Sequence, residues 1–251
     1  ESPIETVSDK YAFVPTFKLL DTFRDAGYYP IMASESKVRD EENQGYQKHI
    51  IQFRSLENLL RPNAKDEYED IVLTNSHNRT SSFIVDLAIF RIVCSNMLVV
   101  PSKSFVHHSI VHVGFTNEKV KNAIAEVTSY MPKIKELVAT FKSIHLTPSE
   151  EQMLANAAID IRFDTNTHYI KADELLKVNY EEDYVPTLWS AYNRIQEAMI
   201  RGGVKMKNLI TNKTFTSKAI NGIDATIKFN KELFEAVEQV ALLKSNHNLA
   251  A

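Results

Sequence analysis

The chain of 251 residues, 44% hydrophobic and 24% charged, has enough apolar material for a sizeable core in one large domain or two small ones, which excludes a disordered tail protein. A formal net charge of −3 excludes a protein that coats duplex DNA by bulk attraction and leaves room for a local basic groove. The lone Cys94 excludes an intrachain disulfide and points to the reducing cytoplasm, and no apolar run reaches the roughly 18 residues of a membrane span.

Glu1 stands in place of an initiator Met, which implies a trimmed or processed chain, and the first residues do not resemble a signal peptide. Residues 1–15 read as an extended lead-in with Tyr11, Phe13 and Val14 available to dock. Thr16 after Pro15 is placed to cap a helix, and Phe17, Leu20 and Phe23 recur at helical spacing until Gly27 stops the run. Residues 28–36 and 46–54 read as two strands of a hairpin joined by the charged loop 39–45. In the second strand His49, Ile51 and Phe53 share a core-like face, while Lys48, Ile50, Gln52 and Arg54 share the other. With Lys37 and Arg39 across the hairpin and Tyr46 beside them, four cations can line one surface next to an aromatic ring. That pattern suits single-stranded nucleic acid, and a solvated strand face fits it equally.

Residues 56–60 predict one helical turn before Pro62. Residues 70–100 are the longest β-rich run, and a polar turn at 75–80 divides it into a short arm and a long one. In the long arm Phe83, Val85, Leu87 and Ile89 point one way and Ile84, Ala88, Phe90 and Ile92 the other, so both faces are apolar and a covered central strand is expected. Asp86 and Arg91 interrupt opposite faces, and each needs a partner or a rim. For Arg91 the choice lies between an ion pair and a DNA phosphate. Residues 101–104 turn the chain and residues 109–115 return as a short strand bearing part of a histidine cluster, His107, His108 and His112. His108 and His112 would share a strand face about 13 Å apart, too far to hold a metal without another segment.

From Asn117 the period becomes helical, with Val120, Ile124, Val127, Ile134 and Phe141 on one stripe and Pro132 set to kink or divide it. Thr147, Pro148 and Glu150 form a compact helix start, a capping box with Pro at the first helical position. A short helix is expected at 172–177. Thr187 opens another helix with the stripe Leu188, Trp189, Tyr192, Ile195 and Met199, its opposite side bearing Asn193, Arg194, Gln196 and Glu197, and Gly202 and Gly203 end it. Residues 198–223 contain no acidic residue but carry Arg201, Lys205, Lys207, Lys213 and Lys218, and they read as a mobile loop or a loose hairpin. A final helix is expected over residues 224–243. The expected fold class is therefore α+β, an antiparallel β-sheet in the N-terminal half covered by helices mainly from the C-terminal half. Residues 1–116 form the β-rich half and residues 117–251 the helical half of what reads as a single domain.

Five stretches resemble one family: SKVRDEENQGYQKHIIQFR (residues 36–54), LTNSHNRTSS (73–82), FRIVCSNMLV (90–99), WSAYNRIQEAMIRGG (189–203) and SKAINGIDATIKFNKELF (217–234). On these the chain is identified as a member of the phage and plasmid-like proteins carrying domain of unknown function 932. Asn78 and Arg79 stand where that family often has Asp-Gly. The resemblance implies a home in mobile genetic elements. The hairpin, long strand and covering helices are also similar to the broad Rad-fifty-two-like class of single-strand annealing proteins, which form rings and hold DNA in a basic groove, an analogy of fold and context.

The leading expectation is a cytoplasmic, non-enzymatic, ring-forming homo-oligomer that binds and anneals single-stranded DNA without a cofactor. Lys37, Arg39, Lys48, Arg54, Arg91, Arg194, Arg201 and Lys205 would contact phosphate in one channel, Tyr46 would stack, and Asn75, Ser76 and Asn96 would supply neutral hydrogen bonds. Asn75 and Ser76 fit a hairpin turn equally well. The alternatives are an anti-defence protein that inhibits a host protein and a metal-dependent nuclease built from His49, His77 or the later histidines with Asp40, Glu41 or Asp86. A Gly-rich phosphate loop is absent, so an ATPase is not expected.

Overall fold

The computed structural model describes residues 15–38, 40–61, 67–78, 80–91, 97–99, 108–110 and 115–249. The lead-in, Cys94, His107 and His112 lie outside them. The chain divides into two units, Glu1–Met131 and Pro132–Ala251. It is α+β, with an antiparallel sheet in the N-terminal half and most helix in the C-terminal half.

In the first unit α1 (Thr16–Asp25) precedes the strands β1 (Tyr28–Glu35), β2 (His49–Ser55), β3 (Glu67–Asn75), β4 (Phe83–Arg91), β5 (Met97–Val99) and β6 (His108–Ile110), with the short helix α2 (Leu56–Leu60) between β2 and β3. The sheet order is β1-β2-β3-β4-β5, and β6 pairs with the other end of β4. All these pairings are antiparallel. The apolar alternation produces this order, because Phe53, Ile71, Leu73, Val85 and Leu87 fall on one face in register and are all buried. The long arm of the central run is not one strand. β5 pairs antiparallel with Ala88, Ile89 and Phe90 of β4.

α1 and α3 (Asn117–Ser129) pack on this sheet, α1 from the β-rich half and α3 from the helical half. Phe23 of α1 stacks on Phe53 with ring centroids 4.0 Å apart. Thr16 is the first helical residue and Pro15 takes the cap position, contrary to expectation. The hydroxyl is used elsewhere: Thr16 Oγ1 lies 2.7 Å from His49 Nε2 and accepts a bond of 3.0 Å from Asn75 Nδ2.

The second unit holds α4 (Met131–Ser143, whose first residue ends the first unit), α5 (Pro148–Arg162), α6 (Leu188–Arg201) and α7 (Ile223–Leu249). Pro132 divides the predicted long helix, since as the second residue of α4 its missing N–H costs nothing. The capping box of α5 forms as read, and α6 has its own, with Thr187 and Ser190 satisfying one another's backbone groups. α5, α6 and α7 pack together, and Phe234 meets Phe141 at 5.6 Å and Tyr192 at 5.8 Å. α6 is buried along nearly its whole length. Its polar side, Asn193, Arg194, Gln196 and Glu197, is buried with its apolar stripe. Residues 172–174 form a single 3₁₀ turn instead of the expected helix.

Of the two readings of residues 198–223, a mobile loop or a loose hairpin, the structure has the hairpin. β8 (Lys205–Asn208) and β9 (Thr214–Thr216) make a hairpin, and β7 (His168–Ile170) pairs with β8 to give a three-stranded antiparallel sheet.

Candidate nucleic-acid interface

The cations of the first unit do not assemble the expected surface. Continuing the β2 and β3 register one step past Phe53 and Ile71 sets Arg54 opposite Asp70, and the two are bound: Arg54 Nε donates to Oδ1 at 2.9 Å and Nη2 to Oδ2 at 2.8 Å. Gln52 Nε2 adds a third bond to Asp70. Asp70 is fully buried and Arg54 is 8% exposed, its guanidinium 4.0 Å from the Tyr68 ring centroid and 5.0 Å from that of Phe90. Burial pushes the Asp70 carboxyl above its ordinary range against the opposing pull of Arg54 and Gln52. The expected phosphate contact from Arg54 is therefore corrected: its charge holds a buried carboxylate inside the sheet.

Asn75 and Ser76 are also interior. Asn75 Oδ1 accepts from the Ser76 N–H at 2.9 Å, and Ser76 Oγ exchanges bonds with the Ser81 backbone at 3.1 and 2.8 Å, so both build the β3 to β4 turn. Arg91 is buried and stands opposite Glu67 of β3. Lys37 is exposed and, among the described residues, lines a cleft of about 340 Å³ with the carboxylates Glu35, Asp40 and Glu41. Tyr46 and Lys48 are half-buried, each bound through its carbonyl, to the His77 and Ser36 N–H groups respectively. Arg39 and Asn96 lie outside the described residues. His49 and His77 come together with ring centroids 5.1 Å apart, yet His49 is engaged by Thr16 and by the Gln47 carbonyl at 3.1 Å. Among the described residues no group of three or more His, Cys, Asp or Glu is arranged to hold a metal ion.

In the second unit Arg194, expected on phosphate, is buried and spans Glu151 of α5 and the Leu176 carbonyl, the latter at 2.8 Å. Arg201 is half exposed and bound to Glu197 at 2.7 Å. Buried Glu197 also accepts from Tyr180 Oη at 3.0 Å and Asn179 Nδ2 at 3.3 Å. Both arginines belong to a polar network that fixes α6, so protein groups take up the contacts expected of them with phosphate.

Lys205 is different. It stands exposed on β8 and shares its face with Lys207, since Met206 between them points to the core with Ile170. Cross-strand partners share a face, so Tyr169 lies beside Lys207, Thr214 flanks Lys207 on the far strand and Thr216 flanks Lys205. Tyr169 is 52% exposed. Further cations converge at one end: the Glu174 carboxyl is held below its usual range, first by a hydrogen bond from Lys177 and then by the charges of Lys177, Lys205 and Lys171. The exposed face of the sheet thus carries Lys205 and Lys207 beside one aromatic ring and two hydroxyls. Such a surface can take extended phosphates on the lysines and a base on the ring.

Lys205 and Lys207 were visible in the sequence as part of an acid-free basic run. Tyr169 was missed, because a three-residue strand has too few positions to show a period. The available signal was the turn before it, where the Asn166 N–H at 3.0 Å and the Asn166 and Thr167 side chains bind the Asp164 carboxylate and launch β7.

A sequence-family model described as "Domain of unknown function (DUF932)" matches residues 3–234. The chain is similar to two proteins of Escherichia coli (strain K12), "UPF0380 protein YfjQ" and "UPF0380 protein YafZ", each 31% identical over 238 residues that cover 95% of this chain and 85% of the relative. No solved structure matches the chain significantly. No helix among the described residues is long and apolar enough to cross a membrane.

Proposed function

We propose that this chain, which belongs to the family of the domain of unknown function DUF932, binds single-stranded DNA on the outer face of the β7–β8–β9 sheet. One observation carries the reading: in a chain of net charge −3, the acid-free run from residue 198 to 223 folds into a hairpin whose exposed face aligns Lys205 and Lys207 with Tyr169. A duplex hides the faces of its bases, so a half-exposed ring next to ammonium groups favours a strand whose bases are unstacked. Lys205 and Lys207 would hold successive phosphates, Lys171 and Lys177 would extend the track at one end, and Thr214 and Thr216 would add neutral hydrogen bonds. A strand held by its backbone on one side leaves its other bases outward, the condition for pairing with a complement. Strand annealing by a ring-forming homo-oligomer is the fuller form of this reading.

Fluorescence anisotropy of a labelled oligonucleotide with the full chain, titrated with salt, is the test. Four phosphate contacts give a slope of log K against log salt of about −3. Lys205→Glu with Lys207→Glu should abolish binding, and Tyr169→Ala should weaken it by about ten-fold or more, the share of one stacked base. Absence of binding at low salt, or binding indifferent to the double charge reversal, overturns the proposal. Light scattering with and without the oligonucleotide, and the rate at which quenched complementary strands pair, measure assembly and annealing.

A further inference from the structure

The β8 to β9 turn holds two bulky aliphatic side chains out in solvent. Ile210 is 77% exposed and Leu209 is 50% exposed. The turn that carries them is braced by four hydrogen bonds. Asn208 Oδ1 accepts from the N–H groups of Ile210 at 3.0 Å and Thr211 at 2.7 Å. The Asn208 N–H donates to the Lys213 carbonyl at 2.9 Å, and the Leu209 N–H donates to the Thr167 carbonyl at 2.8 Å, tying the tip to the start of β7. Asn212 closes the turn at φ 61°, a left-handed conformation that asparagine tolerates better than a branched residue. Apolar side chains are thus kept in water by a rigid scaffold, with the exposed Lys207 on one arm and Lys213 on the other.

Flanking lysines select the occupant. A hydrophobic groove on another protein would gain little from them, whereas a base step offers an apolar stacking surface with phosphates on both sides. Aliphatic side chains are suited to that surface, since Leu and Ile wedges unstack base steps.

We infer that the β8 to β9 tip is a wedge that stacks Ile210 and Leu209 on the last base pair of a duplex, so that the preferred substrate is the junction from which a single strand departs. This inference rests on the reading of the β7–β8–β9 face as a single-strand site. The strand leaving the junction runs onto Lys207 and Tyr169, while the tip caps the duplex end.

The experiment compares two probes with the full chain: a single-stranded oligonucleotide, and the same strand as the tail of a hairpin duplex with a fluorescent base analogue at the junction. The tailed probe should bind about ten-fold tighter, the gain that burying one aliphatic side chain supports, and the analogue should brighten as its stacking partner is displaced. Ile210→Ser with Leu209→Ser should remove the preference and the brightening while single-strand affinity stays, and Ile210→Met should retain both. Equal affinity for the two probes, or a preference that survives the double serine variant, overturns the wedge and leaves the single-strand reading intact. If neither probe binds, both readings fall. Binding to anionic lipid vesicles that is lost in the serine variant, with no discrimination between the probes, also overturns the wedge, in favour of a membrane contact.

Discussion

Replacing Arg54 by Ala tests the assignment of its charge to the interior. The substitution leaves Asp70 fully buried with the Gln52 amide still donating to it, and it removes a guanidinium that lies over the Tyr68 and Phe90 rings. Stranding one member of a buried pair costs about 3–5 kcal/mol, a large share of the roughly 5–15 kcal/mol that holds a domain folded. The loss should depend on pH in a defined direction. The folded Asp70 carboxyl already lies above its ordinary value through burial, and deleting Arg54 removes two effects that lower it, so it rises further. A group whose folded value exceeds its unfolded one favours the fold below the unfolded value and loses that stability as pH rises through the folded one. The deficit of the variant is therefore full at neutral pH and shrinks as pH falls toward the ordinary aspartate value of 3.8, as Asp70 takes up a proton. Urea unfolding followed by circular dichroism, at both pH values and with unchanged m, measures it. Arg54→Met combined with Asp70→Asn should recover most of the loss, because no charge is then stranded. A loss under about 1 kcal/mol at neutral pH, or one that does not change with acid, would refute the reasoning. So would a variant that keeps its stability yet no longer binds oligonucleotide, which would return Arg54 to the phosphate.

Other outcomes follow from particular contacts. Gly202→Ala should cost about 2–4 kcal/mol in thermal unfolding, since φ is 74° and a Cβ there would lie 2.6 Å from the Ala219 nitrogen and the Lys218 carbonyl carbon; a loss under about 1 kcal/mol refutes it. Gly203→Ala, at φ 79° with open space around a Cβ, should cost only about 1 kcal/mol. Thr147→Ala should destabilise the second unit by about 1 kcal/mol through loss of the α5 cap, read as a lower urea midpoint. The Glu150 carboxyl is held down to about 2, first by the Lys244 hydrogen bond at 2.6 Å and then by the Thr147 N–H. Its contribution is present above the ordinary glutamate value of 4.5 and is lost as pH falls toward about 2, so Lys244→Ala should move its carbon-detected titration upward; an unmoved titration would sink that account.

Much of the fold is written in short-range pattern. Alternation placed β2, an apolar run divided by a polar turn placed β3 and β4, and Thr147 with Glu150 or Thr187 ahead of Leu188 marked helix starts, because strand pleat, turn and cap chemistry are satisfied within a few residues. The α+β class and the helix break at Pro132 are legible for the same reason. β7 was not, and the hairpin of β8 and β9 was legible only as one of two readings, since strands of three and four residues are stabilised by pairing and not by their own period.

The sequence by itself determined the inventory: which segments alternate, where helices begin, and that residues 198–223 carry cations without a carboxylate. Only the tertiary structure decided which of those cations face water. Arg54 meets a carboxylate 16 residues away and Arg194 one 43 residues away, while Lys205 and Lys207 are turned outward by the burial of Met206. A side chain's charge is a local property, but its availability depends on what the fold brings to within hydrogen-bonding distance, and at such separations along the chain no local pattern encodes that.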